Sequence, residues 1–174
     1  MDRYRFTLII DGDAGTDERI NALFDAGCDD ATFAHGPTIS YGDFDRDADN
    51  LLEALRSAID AVESVEGLLV RRVDEEDLVT VTEMSARLGR SRQSMNQIIA
   101  GKRGDGSFPP PLGRTRGHAR VWSWLDVATW AGVEIDVVAA ATLSAVNGAL
   151  ALRRAGRMLD GNALRRLVEL ATAA

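Results

Sequence analysis

Residues 79–130 read VTVTEMSARLGRSRQSMNQIIAGKRGDGSFPPPLGRTRGHARVWSWLDVATW, and this stretch decides the fold. Thr82 is placed to cap a first short helix, and Gly89 can end that helix because glycine accepts a left-handed conformation. Ser91 is placed to cap a second helix over about 92–100. Two short helices joined by a turn that contains glycine are the layout of a helix-turn-helix.

The second predicted helix has an apolar face and a polar face. Its apolar side chains recur at helical spacing: Met95, Ile98 and Ile99. Its polar side chains are amides and a guanidinium, which can bond two groups of one base in a major groove: Arg92, Gln93, Asn96 and Gln97. We expect these four to contact bases, with a solvated helix face as the alternative. Ser91 and Ser94 are candidate phosphate donors at the helix N-terminus, although Ser91 could serve only as the cap.

A segment rich in proline and arginine follows the second helix. Three prolines at 109–111 exclude a helix interior, because they remove backbone donors and fix φ. Alternating cations then predict an extended wing, since side chains two apart share a face of a strand. The candidate phosphate contacts in this segment are Lys102, Arg103, Arg114, Arg116, His118 and Arg120. A third short helix is predicted over 123–131.

Three groups of residues carry a family resemblance. They are Leu88-Gly89-Arg90-Ser91-Arg92-Gln93-Ser94, then Phe108-Pro109-x-Pro111 before the arginine-rich wing, then Val121-Trp122 followed by Asp126-Val127-x-x-Trp130. With these features, residues 80–131 resemble the small winged helix-turn-helix domains of the AlpA/excisionase-like group, relatives of the MerR DNA-binding fold. The resemblance covers under a third of the chain. It implies that the second helix enters the major groove while the wing grips the DNA backbone.

Charge is distributed unevenly along the chain. Residues 1–79 hold 7 Arg against 20 Asp or Glu, a net charge of −13. Residues 80–132 hold 8 Lys or Arg against 3 acids, a net charge of +5, and residues 133–174 hold 5 against 4. Positive charge is therefore concentrated in the segment whose pattern already indicates DNA binding.

The composition argues against several other classes of protein. Cys28 is the single cysteine, so no intramolecular disulfide can form. There are two histidines, no phosphate-cradling glycine motif after a strand, and no spacing typical of metal ligands. We therefore expect no enzymatic activity, no cofactor and no metal. No long apolar run is visible, so we expect a cytoplasmic protein that associates with the nucleoid when bound to DNA, and no membrane partner.

The N-terminal segment, residues 1–76, alternates predicted strands and helices. Strands are expected at 4–10, 31–35, 38–44 and 68–73, with helices capped at Thr16 or Asp17 and at Asp47 or Asp49, ending near Ala26 and Glu66. The order strand, helix, strand, strand, helix, strand is that of a split βαβ, ferredoxin-like domain. This predicts an α+β chain whose acidic N-terminal domain serves for dimerisation, for sensing a ligand, or for holding a partner protein.

The C-terminal segment, residues 133–174, is predicted to be a helical hairpin. A long helix is expected over 136–155, and a last helix begins at Asp160 or Asn162. Two helices of this size cannot bury both their faces alone. The hairpin must therefore pack on the winged domain over 79–132, on the N-terminal domain, or on a second copy of the chain.

These patterns favour a sequence-specific regulator that binds double-stranded DNA, and more specifically a repressor. A single module of this size buries little surface, so we expect a homodimer that reads a two-part site. Two further readings stay open. One is an antitoxin-like autoregulator whose acidic domain binds a partner protein, and the other is an excisionase-like factor that bends DNA. A small helical domain that binds protein is the plain alternative to all of them.

Overall fold

The computed structural model describes residues 1–36, 39–74, 78–114 and 119–172. In chain order the elements are β1 (Asp2–Asp11), α1 (Asp17–Asp25), β2 (Ala31–His35), β3 (Ser40–Ala48), α2 (Leu51–Glu63), β4 (Leu69–Asp74), β5 (Leu78–Val79), α3 (Val81–Arg87), α4 (Arg92–Ile99), β6 (Gly113–Arg114), β7 (Arg120–Ser123), α5 (Trp124–Ala131), α6 (Val137–Gly156) and α7 (Gly161–Thr172). This confirms a chain of mixed helices and strands. Among the described helices, none combines the length and apolar character that crossing a membrane requires.

The chain divides into two compact units. Unit 1 comprises Met1–Glu75 together with Thr142–Ala174, and unit 2 comprises Glu76–Ala141. The boundary between them falls within α6. Residues 133–174 were predicted as a segment of their own, whereas most of them belong here to the same unit as the N-terminal strands.

Unit 1 contains a four-stranded sheet in the order β2-β3-β1-β4, with each neighbouring pair antiparallel. Strand β3 runs further than predicted, to Ala48, because every second residue from Ser40 onward is buried. Three of the positions between them hold acids whose side chains contact those of the facing strand β1: Asp43 with Thr7, Asp45 with Arg5, and Asp47 with Arg3. This pairing explains how an aspartate-rich stretch continues as a strand.

The core of unit 1 is formed mainly by the sheet and α2, with Leu23 from α1 and Leu150 from α6. Its fully buried members include Leu8, Ile10, Leu23, Leu55, Val62 and Val73. Helix α1 is short and buries a single residue, Leu23. Ile20 and Phe24 were predicted to point inward with Leu23, but they are 41% and 64% exposed. On α2, Leu52 was expected in the apolar row and is 50% exposed.

A buried arginine joins β3 to the chain between α1 and β2. Arg46 is 8% exposed and donates to both carboxylate oxygens of Asp30, at 2.7 and 2.8 Å, and to the carbonyl of Gly27 at 2.7 Å. This hydrogen bonding holds the pKa of Asp30 below its ordinary value. Burial raises the pKa of the neighbouring Cys28 thiol, which favours its protonated, unreactive form. The cluster is structural.

Helix α6 covers the outer edge of strand β4. The side-chain amide of Asn147 accepts from the Val73 backbone N–H at 2.8 Å and donates to its carbonyl at 3.1 Å. The Arg153 guanidinium donates to Glu63 at 2.8 Å and to the Val70 carbonyl at 3.3 Å. Side chains thus replace a neighbouring strand along an edge that would otherwise expose unpaired backbone groups. This contact accounts for the place of the C-terminal residues in unit 1.

Replacing Asn147 with alanine tests this edge contact. We expect the free energy of unfolding to fall by about 1 to 3 kcal/mol, because two backbone groups of Val73 lose their partners. The measurement is chemical denaturation followed by circular dichroism. Ser144→Ala, at an exposed position of the same helix, controls for the higher helix propensity of alanine. Equal stability of the two variants would show that the amide contributes nothing.

Unit 2 contains a three-stranded sheet in the order β5-β7-β6, together with α3, α4 and α5. Its buried core consists of Val79, Met84, Met95, Ile98, Trp122 and Val127. Helix α3 begins two residues earlier than predicted, because Thr80 rather than Thr82 is its N-cap. Thr80 and Glu83 form a reciprocal capping box, and the backbone N–H of Thr80 lowers the pKa of the Glu83 carboxyl.

Candidate nucleic-acid interface

Helices α3 and α4 are joined by a tight turn. Gly89 has φ +62°, the left-handed conformation predicted for the end of α3. The backbone N–H of Arg90 donates to the carbonyl of Ser85 at 2.9 Å and closes the turn. Ser91 then caps α4, and its hydroxyl oxygen accepts from the Ser94 N–H at 3.1 Å. The Ser91 oxygen therefore holds the helix end in place, as its capping role requires.

Helix α4 buries one face and exposes the other. Met95 and Ile98 are buried in the core of unit 2, while Ser94 and Ile99 are half-buried. The exposed side chains of the helix are those predicted to face DNA: Arg92, Gln93, Asn96 and Gln97. At 100° per residue these four lie within an arc of roughly 140°. The predicted division of the helix into two faces is confirmed.

Two cations follow the end of α4 in a loop. Gly101, with φ +67°, ends the helix, and Lys102 and Arg103 are exposed directly after it. Further along the loop, one oxygen of the Asp105 carboxylate accepts from the Ser107 N–H at 3.0 Å and from its hydroxyl at 2.6 Å. The hydroxyl contact is the main reason that the pKa of Asp105 lies below its ordinary value.

Aromatic side chains hold this loop against α5 and the sheet. The Phe108 ring meets the rings of Trp122 and Trp130 edge-on, with centroid distances of 6.1 and 4.9 Å. The indole N–H of Trp122 donates to the Pro109 carbonyl at 3.1 Å, and that of Trp130 donates to the Ser107 hydroxyl at 3.1 Å. Because these anchors fix both ends of the segment 107–109, the loop keeps a defined path beside the end of α4.

Three arginines of unit 2 stack on its tryptophans. The guanidinium carbon lies 4.9 Å from the ring centroid for Arg87 on Trp124, 5.6 Å for Arg90 on Trp130, and 5.4 Å for Arg120 on Trp122. All three arginines are exposed. Stacking of a guanidinium on an aromatic face holds the side chain against the surface of the unit. Sequence reasoning selected Arg120 but missed the other two, because the contacts join residues far apart in the chain.

The wing is described only in part. Strands β6 and β7 are antiparallel, and Arg114 and Arg120 are partners across the pair. The sequence predicted that Arg114, Arg116, His118 and Arg120 alternate along one extended segment. Arg114 and Arg120, the first and last of these residues, instead lie on facing strands. Arg116 and His118 lie outside the described residues, as does the side chain of Arg114.

Unit 1 brings together a serine, a histidine and an aspartate that sequence reasoning did not connect. Nδ1 of His35 lies 3.0 Å from the Ser40 hydroxyl and 3.3 Å from the Asp13 carboxylate. A catalytic triad needs the two contacts on different ring nitrogens, because one nitrogen accepts the serine proton while the N–H of the other donates to the aspartate. The Ser40 hydroxyl is moreover buried and donates to the Gly12 carbonyl at 2.8 Å. We infer that this cluster is structural and that its hydrogen bonds hold the loop after β1 against the start of β3.

The described residues contain no group of three or more histidine, cysteine, aspartate or glutamate side chains that could hold a metal ion. Comparisons with protein-family models, with curated proteins and with solved structures gave no match. The candidate interface is therefore defined by its geometry alone.

Proposed function

We propose that unit 2 is a winged helix-turn-helix domain of the AlpA/excisionase-like, MerR-related kind. Its support is the order of elements: two short helices joined through Gly89, then an anchored loop, a strand pair and the helix α5. We further propose that the N-terminal part of unit 1 is ferredoxin-like. The supporting observation is an antiparallel sheet in the order β2-β3-β1-β4 assembled from a βαββαβ chain.

The proposed function is sequence-specific binding of double-stranded DNA by α4. One observation carries the proposal, namely a short helix whose long polar side chains are exposed while its opposite side is buried in a core. The exposed groups are of the kinds that form paired hydrogen bonds with base edges, guanidinium for guanine and amide for adenine. Fixing the helix by Met95 and Ile98 keeps these groups in position before DNA arrives.

Cations around α4 support contact with the DNA backbone. Arg90 precedes the helix, Lys102 and Arg103 follow it, and Arg120 lies on β7, and all four are exposed. Electrostatic attraction at physiological salt extends over roughly 8 Å. A local cationic surface can therefore attract phosphates although the whole chain carries a net charge of −7. The acidic residues of unit 1 oppose non-specific binding.

In the cell such a protein acts as a cytoplasmic transcriptional regulator. We propose repression, because a small module in a major groove excludes other proteins from its site without needing an additional activating surface. We also propose a homodimer, since two modules bury the surface that one lacks.

The test is selection of duplexes from a genomic fragment library in buffer of low ionic strength. We expect retained fragments to share a sequence, with a binding constant that falls as salt is added. About four phosphate contacts give a slope of about −4 in a plot of log K against log salt concentration. Failure to retain any duplex in dilute buffer would refute the proposed function.

A further inference from the structure

Strand β2 is an edge of the unit 1 sheet, and among the described residues its outer side pairs with no other strand. The opposite edge, β4, is covered by side chains of α6. Native proteins usually protect a sheet edge with a charged side chain, a proline, a bulge or a covering element. The sequence of β2 is Ala-Thr-Phe-Ala-His, without Lys, Arg, Asp, Glu or Pro, and its register with β3 is regular. This edge is therefore open to another strand.

Hydrogen bonds at the two ends of β2 show which of its backbone groups point outward. The Asp45 N–H donates to the Asp30 carbonyl at 3.0 Å, and the Gly36 N–H donates to the Ile39 carbonyl at 2.8 Å. Both bonds involve an even-numbered residue of this segment, and in an antiparallel pair the bonded residues alternate with residues that face away. The N–H and C=O groups of the odd-numbered residues, Phe33 among them, therefore face away from β3. These are the groups that an added strand would bind.

The side chains of β2 alternate between the two sides of the sheet. Phe33 lies half-buried on the core side, where its ring meets that of Phe44 edge-on at a centroid distance of 5.9 Å. Thr32 and Ala34 lie on the other side and are exposed. An added strand would therefore place apolar side chains beside Phe33 and polar ones beside Thr32 and Ala34.

Carboxylates lie beside the exposed side of β2. An open depression of about 400 Å³ next to Thr32 is lined by four charged residues, namely Asp30, Asp43, Asp45 and Arg5. Arg5 donates to Asp45 at 3.3 Å, and Asp30 is bound by the buried arginine of β3. The exposed Asp43 accepts from a threonine hydroxyl, and among the described residues it has no cationic partner. Because Asp43 is paired with Thr32 in the register, its charge lies one strand from the open edge.

We propose that unit 1 binds a basic, extended segment of a partner protein, which adds to the sheet as a fifth strand antiparallel to β2. Apolar side chains of the segment cover Phe33, and its Lys or Arg side chains alternate with them and reach across Thr32 toward Asp43. A second copy of the chain does not fit, because its own β2 has no Lys or Arg and would bring the same carboxylates to the edge. The site lies wholly in unit 1, so its failure would be independent of DNA binding by α4.

The probe is a blocked synthetic peptide of about eight residues in which lysine and valine alternate, since strands of this length are common. Titrated into the labelled full chain and followed by NMR, it should cause saturable amide shift changes that are largest at Phe33 and His35. Antiparallel addition directs the valine N–H groups at β2, so N-methylation of the valines should abolish binding. N-methylation of the lysines, whose N–H groups face solvent, should change the dissociation constant by no more than about threefold. A peptide with glutamate in place of lysine should not bind.

Variants of exposed residues test the charge of the site. Ala34→Lys places a cation beside the added strand and should weaken peptide binding about tenfold or more, whereas Ala34→Glu should not weaken it. Asp43→Asn should weaken binding about twofold to fivefold. Asp47→Asn is its matched control, because Asp47 lies on the same strand beyond the residues that pair with β2, and it should leave binding unchanged. Circular dichroism checks that each variant is folded.

Three results would overturn the proposal. The first is the absence of saturable shift changes at Phe33 and His35. The second is a valine-methylated peptide that binds as tightly as the parent peptide, because binding would then not use the backbone of an added strand. The third is unchanged binding to Ala34→Lys, because the peptide would then lie away from this edge.

Discussion

Trp122→Ala is expected to lower the free energy of unfolding of unit 2 by about 3 to 5 kcal/mol. Trp122 is completely buried, lies opposite Val79 across β5 and β7, and packs edge-on against Phe108. Its removal leaves a large cavity, and the partly buried carbonyl of Pro109 loses its hydrogen-bond donor. Because the same indole holds the loop beside α4, we also expect DNA binding to fail under conditions where the variant is unfolded.

Denaturation followed by circular dichroism measures the loss. The matched control is Leu112→Ala, which truncates an apolar side chain of the same unit that is 62% exposed. It should change stability by no more than about 0.5 kcal/mol. A Trp122→Ala variant as stable as this control would contradict the assignment of Trp122 to the centre of the unit 2 core.

The second large effect concerns the exposed face of α4. We expect Arg92→Ala and Gln93→Ala each to weaken binding to the best selected duplex by about 1 to 3 kcal/mol. Both side chains are exposed, so the stability of the folded chain should stay within about 0.5 kcal/mol of the parent. Calorimetric titration against the selected duplex and against a scrambled duplex of equal length separates loss of specificity from loss of general affinity.

Two further variants serve as controls, one at an expected phosphate contact and one outside the candidate interface. Lys102→Ala should weaken binding to both duplexes equally, because a lysine that contacts a phosphate carries no sequence information. It should also reduce the slope of log K against log salt concentration by about one. Arg154→Ala removes an exposed arginine of α6 in unit 1 and should leave binding unchanged. If the Arg92 and Gln93 variants bind their best site as tightly as the parent, a different part of the chain contacts the bases.

The division of α4 into two faces could be predicted from sequence because it depends on local periodicity. Met95 and Ile98 recur at helical spacing, and burial follows that spacing once any core forms on that side. The roles of Gly89 and Ser91 could also be predicted, because each meets a local requirement. Gly89 takes the left-handed conformation that ends α3, and the Ser91 hydroxyl caps α4.

Cap positions were harder to predict where neighbouring residues offered the same chemistry. Thr80 and Thr82 can both cap a helix, and Glu83 decides between them because it lies three residues after Thr80. Before α2, Asn50 is the N-cap in place of the predicted Asp47 or Asp49. Asp47 belongs to β3 and Asp49 to the turn after it, so neither aspartate is at the start of α2. The length of β3 depends on its pairing with β1.

Contacts between distant parts of the chain could not be predicted at all. The stacking of Arg87 and Arg90 on tryptophans of α5 has no spacing that a pattern could reveal. The same is true of Asn147, whose pairing with Val73 spans 74 positions. Such contacts follow from how elements pack, whereas periodicity reports only which face of each element is apolar.

The most direct test of the central claim is an NMR titration of the labelled chain with the selected duplex. We predict that the largest amide shift changes occur at the N-cap Ser91, at 92–97 in α4 and at Lys102 and Arg103, with small changes in α1 and α2. Shift changes confined to unit 1, with α4 unaffected at saturation, would contradict the claim that this helix meets the DNA.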